Sequence, residues 1–214
     1  MEGSAVRIVP MRLNDIDTQL ATHRPSAPPN RPGLRRAAVA IILRERTKGD
    51  PVTEILFIRR AEKSGDPWSG HMAFPGGHAD RDDASMLDTA RRETLEEIGL
   101  DLAVAGRHLG ALAHHQVTPR GRAIDMLIVP HVFAVPPSEL TFAPNHEVAE
   151  VVWTPLEPIV RGTNHTEEDR VIAGTPTSFN GYRVNGGHFV WGLTYRILHA
   201  FFSVLDPGWK APHL

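Results

Sequence analysis

The chain has 214 residues, of which 41% are hydrophobic and 22% are charged, and its formal net charge is −2. This composition is typical of a globular protein of about one domain, and it excludes the basic excess that is typical of polynucleotide-binding proteins. Because cysteine is absent, disulfides, thiolate metal sites and a cysteine nucleophile are excluded. The sequence has no apolar run near the ~18 residues of a membrane span and no apolar region of the signal-peptide kind near its start. We therefore expect a cytoplasmic protein whose partners are neither a polynucleotide nor a membrane.

Residues 1–35 are predicted to form an N-terminal extension that ends in a proline-rich linker. A short helix is predicted from about Leu13 to Ala21. The following segment, 24–32, cannot continue that helix because proline lacks the backbone N–H group. The main domain is predicted over residues 36–205, and residues 206–214 are predicted to be a C-terminal tail.

Two continuous apolar runs open the predicted main domain. They extend from Ala37 to Leu43 and from Ile55 to Ile58, and turn-forming residues lie between them. Short apolar runs bounded by turn signals are typical of buried strands. Arg60 lies at the end of the second run. The glycine- and proline-rich segment that follows contains Trp68, which we expect either to cover an edge of the core or to contact a ligand at the mouth of a site.

A tight glycine loop, Phe74-Pro-Gly-Gly77, is followed by a predicted helix with an acidic face. Glu93, Glu96 and Glu97 stand at i, i+3 and i+4 and so share one side of a helix. Crowded carboxylates repel each other, but hard divalent cations favour such oxygen ligands. A solvated acidic face is the alternative interpretation, and the adjacent glycine loop favours a ligand site because glycines let a backbone approach a ligand closely.

The ends of this helix also carry signals. Asp83 and Ser85 are both suitable N-caps, and Gly99 stands where a left-handed C-cap is expected. Arg92 can pair with Glu96 one turn later and hold it in a ligating conformation.

The remaining chain is predicted to contain strands at 106–113, 124–135 and 148–153, a loop or hairpin at 161–187, and a final helix from about Thr194 to Leu205. The loop between the first two strands contains His114 and His115, which we interpret as incidental, and Arg120 and Arg122. An arginine in a loop can bind phosphate through two hydrogen bonds.

The glycine loop and the acidic helix together resemble the signature of the Nudix hydrolases, G-x5-E-x7-R-E-U-x-E-E-x-G-U, in which U is apolar. Residues 92–100 match its second half. Gly77 and Arg92 are fifteen positions apart where the signature has fourteen, and its earlier glutamate falls on Ala84, beside Asp83. One additional loop residue before the helix explains both differences.

The resemblance implies an α/β fold, the Nudix-type α/β/α sandwich around a mixed β-sheet. It further implies a metal-dependent pyrophosphohydrolase that uses Mg²⁺ or Mn²⁺. The implied metal ligands are Glu93, Glu96, Glu97 and the backbone carbonyl of Gly76, and Arg92 orients them. Nudix enzymes differ in where they place the general base, so Glu96, Glu97 and the loop residue Glu147 all stay candidates. The expected substrate-binding residues are Arg60, Trp68, Gly77, Arg120 and Arg122.

Segments outside the signature are similar to the coenzyme A pyrophosphatase branch of this family. These are 56–61, 69–77 and 190–195. Arg60 matches the first arginine of the branch motif, and the second falls on Ser64 or Gly65. The branch implies a small-molecule nucleotide substrate, coenzyme A, with 3′,5′-ADP and 4′-phosphopantetheine as products. Other Nudix substrates are nucleotide sugars, ADP-ribose, dinucleotide polyphosphates and nucleoside triphosphates, and a nucleotide-sensing module without catalysis is the alternative of another class. Homodimers are frequent in the family, so a homodimer is also considered.

Overall fold

The computed structural model of the chain describes residues 12–27, 29, 33–47, 52–66, 68–117, 126–137, 140–172 and 174–212. The helices are α1 (Leu13–Thr22), α2 (Met86–Ile98), α3 (Leu156–Arg161) and α4 (Gly192–Leu205), with a short 3₁₀ turn at Asn185–Gly187. The strands are β1 (Arg35–Glu45), β2 (Thr53–Arg60), β3 (Met72–Ala73), β4 (Gly76–His78), β5 (Arg107–Ala111), β6 (His115–Val117), β7 (Met126–Ala134), β8 (Val148–Pro155), β9 (His165–Ile172), β10 (Thr175–Arg183) and β11 (Phe189–Trp191).

Within the described residues, eight strands form a mixed sheet. Its main order is β3-β2-β1-β7-β5, while β4 pairs with β1, β6 with β7 and β8 with β2. β1 and β7 run parallel, and the other pairs are antiparallel. The second sheet is small and has the order β11-β10-β9.

The large sheet lies between two helical layers, because its central strands are apolar on both faces. On one face, Ala40 and Ile42 of β1 pack with Ala90 and Ile98 of α2. On the other face, the alternate β1 residues belong to a core that includes α1, α3 and α4. This arrangement confirms the predicted α/β/α sandwich around a mixed sheet.

Helix α1 belongs to this second layer. Ile16 and Leu20 are fully or almost fully buried, and the Asp17 carboxylate pairs with the Arg107 guanidinium at 2.5 Å. The helix predicted in the N-terminal extension is therefore present and packs on the sheet. The domain bounds at 35/36 and 205/206 stay predictions.

The predicted strands and the final helix are present, with ends shifted by a few residues. The segment 161–187, predicted to be a loop or hairpin, contains the β9–β10 hairpin, in which Tyr182 pairs with His165. Helix α2 begins after Ser85, whose hydroxyl accepts a hydrogen bond from the Asp88 N–H at 3.2 Å. Its C-cap is Gly99, in the left-handed conformation with φ 71°. Ser85, rather than Asp83, is thus the N-cap.

Among the helices in the described part of the chain, none has both the length and the apolar character needed to cross a membrane.

Candidate active site

The glycine loop places its backbone directly between strand β1 and helix α2. Gly76 has φ 149°, and a Cβ atom at this position would lie 2.2 Å from the Ala38 carbonyl oxygen. No side chain is therefore compatible with the antiparallel pairing of β4 and β1, in which Gly76 lies opposite Val39. The pairing holds the loop against the acidic face of α2.

Glu97 is held under this loop. Its Oε2 accepts a hydrogen bond from the Gly76 N–H at 2.8 Å, and only 4% of the residue is exposed. The pKa of Glu97 is raised to about 7, chiefly by burial and also by the Glu93 and Glu147 carboxylates, while the Gly76 N–H and Arg60 act against the rise. A carboxylate in these surroundings gains strongly from a nearby cation.

Glu93 lies beside the second glycine of the loop. A Cβ atom at Gly77 would come within 2.6 Å of the Glu93 carboxylate. Burial raises the pKa of Glu93, and the adjacent Arg92 opposes that rise. Gly77 therefore leaves the space that this carboxylate fills.

Glu96 has the opposite surroundings, since its side chain is 55% exposed. Both of its carboxylate oxygens accept weak hydrogen bonds from Arg92 Nη1, at 3.2 and 3.3 Å. Sequence spacing predicted this i,i+4 pair. Glu96 is the one of the three glutamates that can change rotamer freely.

Arg92 donates hydrogen bonds to three acidic side chains, those of Asp83, Glu93 and Glu96. Its Nε and Nη2 donate to the two oxygens of Asp83, each at 3.0 Å. Nη1 also donates to Glu93 at 3.0 Å, and Nη2 donates to the His78 carbonyl at 2.9 Å. The guanidinium beside Asp83 holds the pKa of that carboxyl far below its usual range. Asp83 thus fixes Arg92, and Arg92 fixes Glu93, whereas Glu96 is held only by weak hydrogen bonds at the solvent-exposed edge.

The donor set fits a hard divalent cation in its chemistry. Glu93, Glu96 and Glu97 are oxygen ligands on one helix face, and two of them have raised pKa values that a cation would reverse. As the side chains stand, no three acidic or histidine groups in the described residues are close enough together to hold a metal ion. A rotamer change at exposed Glu96 is the adjustment that costs least. In the structure, the N–H group of Gly76 donates a hydrogen bond to Glu97. Metal binding by the Gly76 carbonyl stays a prediction.

Arg60 and Glu147 lie on neighbouring segments beside Glu97: Arg60 pairs with Val148 of β8, and the Asn145 N–H donates to the Glu97 carbonyl at 2.9 Å. Arg60 Nη2 donates to Asp66 at 2.8 Å, while its Nε is buried and has no hydrogen-bond partner among the described residues. The Glu147 side chain is 51% exposed, and its carbonyl accepts a hydrogen bond from the Ala61 N–H. These two predicted residues are therefore brought to the Glu97 end of α2.

Trp68 is 50% exposed. The backbone N–H of Trp68 donates to Asp66 Oδ1 at 3.0 Å, so Asp66 joins the Trp68 loop to Arg60. This exposure argues against Trp68 covering an edge of the core, and contact with a ligand stays a prediction. Arg120 and Arg122 lie outside the described residues.

The sequence analysis missed Asp83 as the partner of Arg92 and assigned no role to Asp66. Asp83 stands beside the expected acidic position of the signature, which is a signal that could have identified it. Asp66 carries no such signal, because its partners depend on how the loop folds.

Comparison with known proteins identifies related sequences. A sequence model of the NUDIX domain matches residues 33–174. The mitochondrial coenzyme A diphosphatase NUDT8 of Mus musculus is 32% identical over 165 residues, which are 76% of each chain. An uncharacterized Nudix hydrolase of Yersinia pestis (strain Pestoides F), NudL, is 32% identical over 166 residues, 77% of this chain and 76% of that protein. An uncharacterized protein of Schizosaccharomyces pombe is 36% identical over 152 residues, 64% of this chain. The match spans about half of that yeast protein, 46% of its length.

Solved structures share the fold. A MutT/nudix family protein from Enterococcus faecalis has a TM-score of 0.55 at 20% identity, covering 85% of this chain and 66% of that one. A NUDIX hydrolase from Alicyclobacillus acidocaldarius has a TM-score of 0.51 at 19% identity, covering 79% of this chain and 91% of that one.

Proposed function

Because the chain belongs to the NUDIX family, we propose that it is a divalent-metal-dependent pyrophosphohydrolase acting on coenzyme A or its derivatives. The observation that carries the proposal is the group formed by Glu93, Glu96 and Glu97 around Arg92 and the glycine loop. The similarity to proteins named coenzyme A diphosphatase over 76% of the chain supports the substrate. The three carboxylate donors on one face of α2 support a hard cation, Mg²⁺ or Mn²⁺, as the cofactor.

The proposed reaction is hydrolysis between the two phosphorus atoms of the pyrophosphate. Water adds to one phosphorus, the bridging P–O bond breaks, and the products are 3′,5′-ADP and 4′-phosphopantetheine. A bound divalent cation supplies charge neutralisation and a lower pKa for the attacking water. The residues of this chain hold that cation, with Glu93, Glu96 and Glu97 as ligands and Arg92 fixing their orientation.

Glu147 is the proposed proton acceptor. The Glu96 carboxylate accepts a hydrogen bond from Arg92, and the Glu97 carboxylate accepts one from Gly76. In the described part of the chain, the Glu147 carboxylate has no hydrogen bond to Arg92 or Gly76. Its carboxylate is half exposed and near Glu97, so it can accept a proton from water and release it to solvent.

Arg60 and the glycine loop are proposed to bind substrate phosphate. The Arg60 guanidinium keeps hydrogen-bonding capacity beyond Asp66, and the glycine loop lies directly beside the Glu93 carboxylate. Trp68, Arg120 and Arg122 stay proposed substrate contacts.

A substrate panel tests the function. Initial rates with Mg²⁺ or Mn²⁺ are measured for coenzyme A, 3′-dephospho-coenzyme A, ADP-ribose and a nucleotide sugar, with chromatographic identification of products. We expect coenzyme A to have the highest kcat/KM, by about tenfold over its dephospho form, because a charge-assisted hydrogen bond to the 3′-phosphate contributes about 1.5–3 kcal/mol. If coenzyme A is the poorest of the four, the substrate assignment is wrong. If the protein cleaves no member of a wider nucleotide panel, the nucleotide-sensing alternative is correct.

We further propose a cytoplasmic location and a homodimer. The mouse and human relatives carry mitochondrial in their names, so cell fractionation with markers for both compartments tests the location. Light scattering of the purified protein tests the homodimer.

A further inference from the structure

One face of the small sheet carries arginines and aromatic rings that none of the proposed roles uses. Cross-strand pairs put its side chains together: Thr177 lies opposite Arg170, Phe179 opposite Glu168 and Gly181 opposite Trp191. We call this surface the β9–β11 face, and its members are Glu168, Arg170, Phe179, Gly181, Arg183, Phe189 and Trp191.

The aromatic rings of the β9–β11 face pack closely at the position of a glycine. Phe179 and Trp191 have ring centroids 4.6 Å apart. A Cβ atom at Gly181 would lie 2.5 Å from the Phe189 ring and 2.4 Å from the Val190 carbonyl oxygen. The rings therefore fill the space over the glycine backbone, which gives the face a defined shape.

A continuous set of contacts joins this face to the candidate active site. The Arg170 guanidinium lies 5.6 Å from the Trp191 ring centroid, and Trp191 packs edge-on against His71 at 4.7 Å. The backbone carbonyl of His71 accepts a hydrogen bond from the backbone N–H of Arg60 at 3.0 Å. Burial lowers the pKa of His71, and both Arg170 and Arg60 lower it further. Trp191 and His71 thus link the Arg170 guanidinium to the strand that carries Arg60.

Positive charge exceeds negative charge on the β9–β11 face. Arg60 pairs with Asp66, while Arg170 and Arg183 share the single carboxylate of Glu168 at 3.0 and 2.6 Å. Arg60 Nε and Arg170 Nε are both buried without a hydrogen-bond partner in the described structure. On the β9–β11 face, two guanidinium groups therefore share one carboxylate, which leaves capacity for one anionic group.

We propose that Arg170, together with Arg60, binds the 3′-phosphate at the adenosine end of the substrate and is a specificity-determining residue. This rests on the proposed function. In the proposed function the pyrophosphate binds at the glutamates of α2. Arg170 lies farther from these glutamates, beyond Arg60 and His71 along the set of contacts. The anionic group that fits beside Arg170 is therefore a second phosphate of the same substrate. The loop after β2 carries no charge at Ser64 and Gly65. Arg170 supplies a positive charge from β9 instead.

Calorimetric titration of the full chain tests the inference with two probes, adenosine 3′,5′-bisphosphate and AMP. The wild type is expected to bind the bisphosphate about tenfold more tightly, the usual effect of one charge-assisted contact. Arg170→Gln should abolish that preference. Arg183→Gln is the matched control, since Arg183 lies on the same face and pairs with the same Glu168, and it should keep the preference.

Arg170→Lys guards against misfolding of the glutamine variant, because it keeps the charge and loses the planar fork. We expect it to retain only part of the preference. Each of three results would overturn the inference. The first is an equal preference for the bisphosphate in Arg170→Gln and Arg183→Gln, and the second is an undiminished preference in Arg170→Lys. The third is a wild-type protein that does not prefer the bisphosphate to AMP. Hydrolysis of coenzyme A by the wild type is scored separately, so a failure of the proposed function is distinguishable from a failure of the Arg170 assignment.

Discussion

Glu96 and Glu97 are adjacent in the chain and have opposite surroundings. Glu97 is buried under the glycine loop, where Gly76 donates to it, whereas Glu96 extends into solvent from the next position of α2. A buried carboxylate can have a fixed position, and an exposed one can follow a cation. The two residues therefore suit complementary roles as metal ligands.

The first prediction concerns these two side chains. Glu96→Gln and Glu97→Gln keep size and shape but remove a charged ligand, and each should lower kcat on the order of a thousandfold at saturating Mg²⁺. The metal-free Glu97→Gln protein should melt at the wild-type temperature or above, because a buried charge is lost. Steady-state kinetics and thermal melts measure both effects. Glu157→Gln, at an exposed glutamate of α3, is the control, and near-wild-type turnover in both site variants contradicts the assignment.

Arg92 is the subject of the second prediction. Arg92→Lys keeps a positive charge but cannot contact both oxygens of Asp83 while also reaching Glu93 and Glu96. We expect a lower rate that rises again as the metal concentration is increased, which a metal titration of kcat would show. Arg91→Lys changes the neighbouring arginine, whose Asp88 partner is 3.8 Å away, and should have little effect. Should excess metal restore nothing, Arg92 acts on the substrate instead.

At the scale of elements, strand β4 and helix α2 hold the site through two glycines with different constraints. An added Cβ at Gly76 meets backbone atoms of Ala38 and Val39, which cannot move without breaking the β1–β4 pairing. The three atoms nearest to an added Cβ at Gly77 all belong to the flexible end of the Glu93 side chain. The first glycine is thus required by the fold and the second by the site.

This difference gives the third prediction. Gly76→Ala should lower the free energy of unfolding on the order of 3 kcal/mol, through clash and strained backbone together. Gly77→Ala should fold almost as stably as the wild type and lose at least about tenfold in kcat, since the Glu93 ligand is displaced. Urea denaturation and kinetics separate the two outcomes. Gly174→Ala, at a positive φ with open space around it, measures the cost of backbone strain alone, and full activity in Gly77→Ala would refute the explanation.

For the molecule as a whole, burial of histidines sets the response to acid. Burial, followed by the charges of His108 and Arg91, lowers the pKa of His131 to about 4, and burial lowers that of His199 to about 4. An unfolded histidine accepts a proton near pH 6.5, so the unfolded chain binds more protons between about pH 4 and pH 6.5. Stability from these groups is complete above pH 6.5 and is lost as the pH falls towards 4. In the metal-free protein, Glu97 acts in the opposite direction between about pH 4.5 and 7.

The fourth prediction isolates one of these groups. His131→Asn should flatten the fall in the free energy of unfolding between about pH 6.5 and 4, where His131 accounts for on the order of 3 kcal/mol. Asparagine can still bond His108, which contacts His131 Nδ1 at 3.2 Å. Urea denaturation across this pH range measures the slopes, and the Glu97 contribution cancels between the two proteins. His146→Asn, at an exposed histidine, should keep the wild-type slope; an unchanged slope in His131→Asn would contradict the prediction.

Local patterns in the sequence were sufficient for the strand positions, the acidic face of α2, its Gly99 cap and the membership of the family, all of which are confirmed. These features depend on contacts within about four residues or on alternation along a strand, so they are present in the order of residues itself. The i,i+4 contact between Arg92 and Glu96 belongs to the same class. The roles of the individual site residues and the substrate stay predictions and proposals.

Only the tertiary structure decided which glutamate is buried and which residues complete the site. Glu97 is buried because the Gly76 backbone covers it from 21 positions away in the chain, and Arg170 approaches His71 only because the β9–β10 hairpin packs beside β3. Helix α1 likewise joins the core through long-range contacts that its own sequence does not specify. The sequence by itself determined the ligand-bearing helix and the strands, since their geometry is local, while packing between distant segments decided the depth, charge environment and neighbours of each site residue.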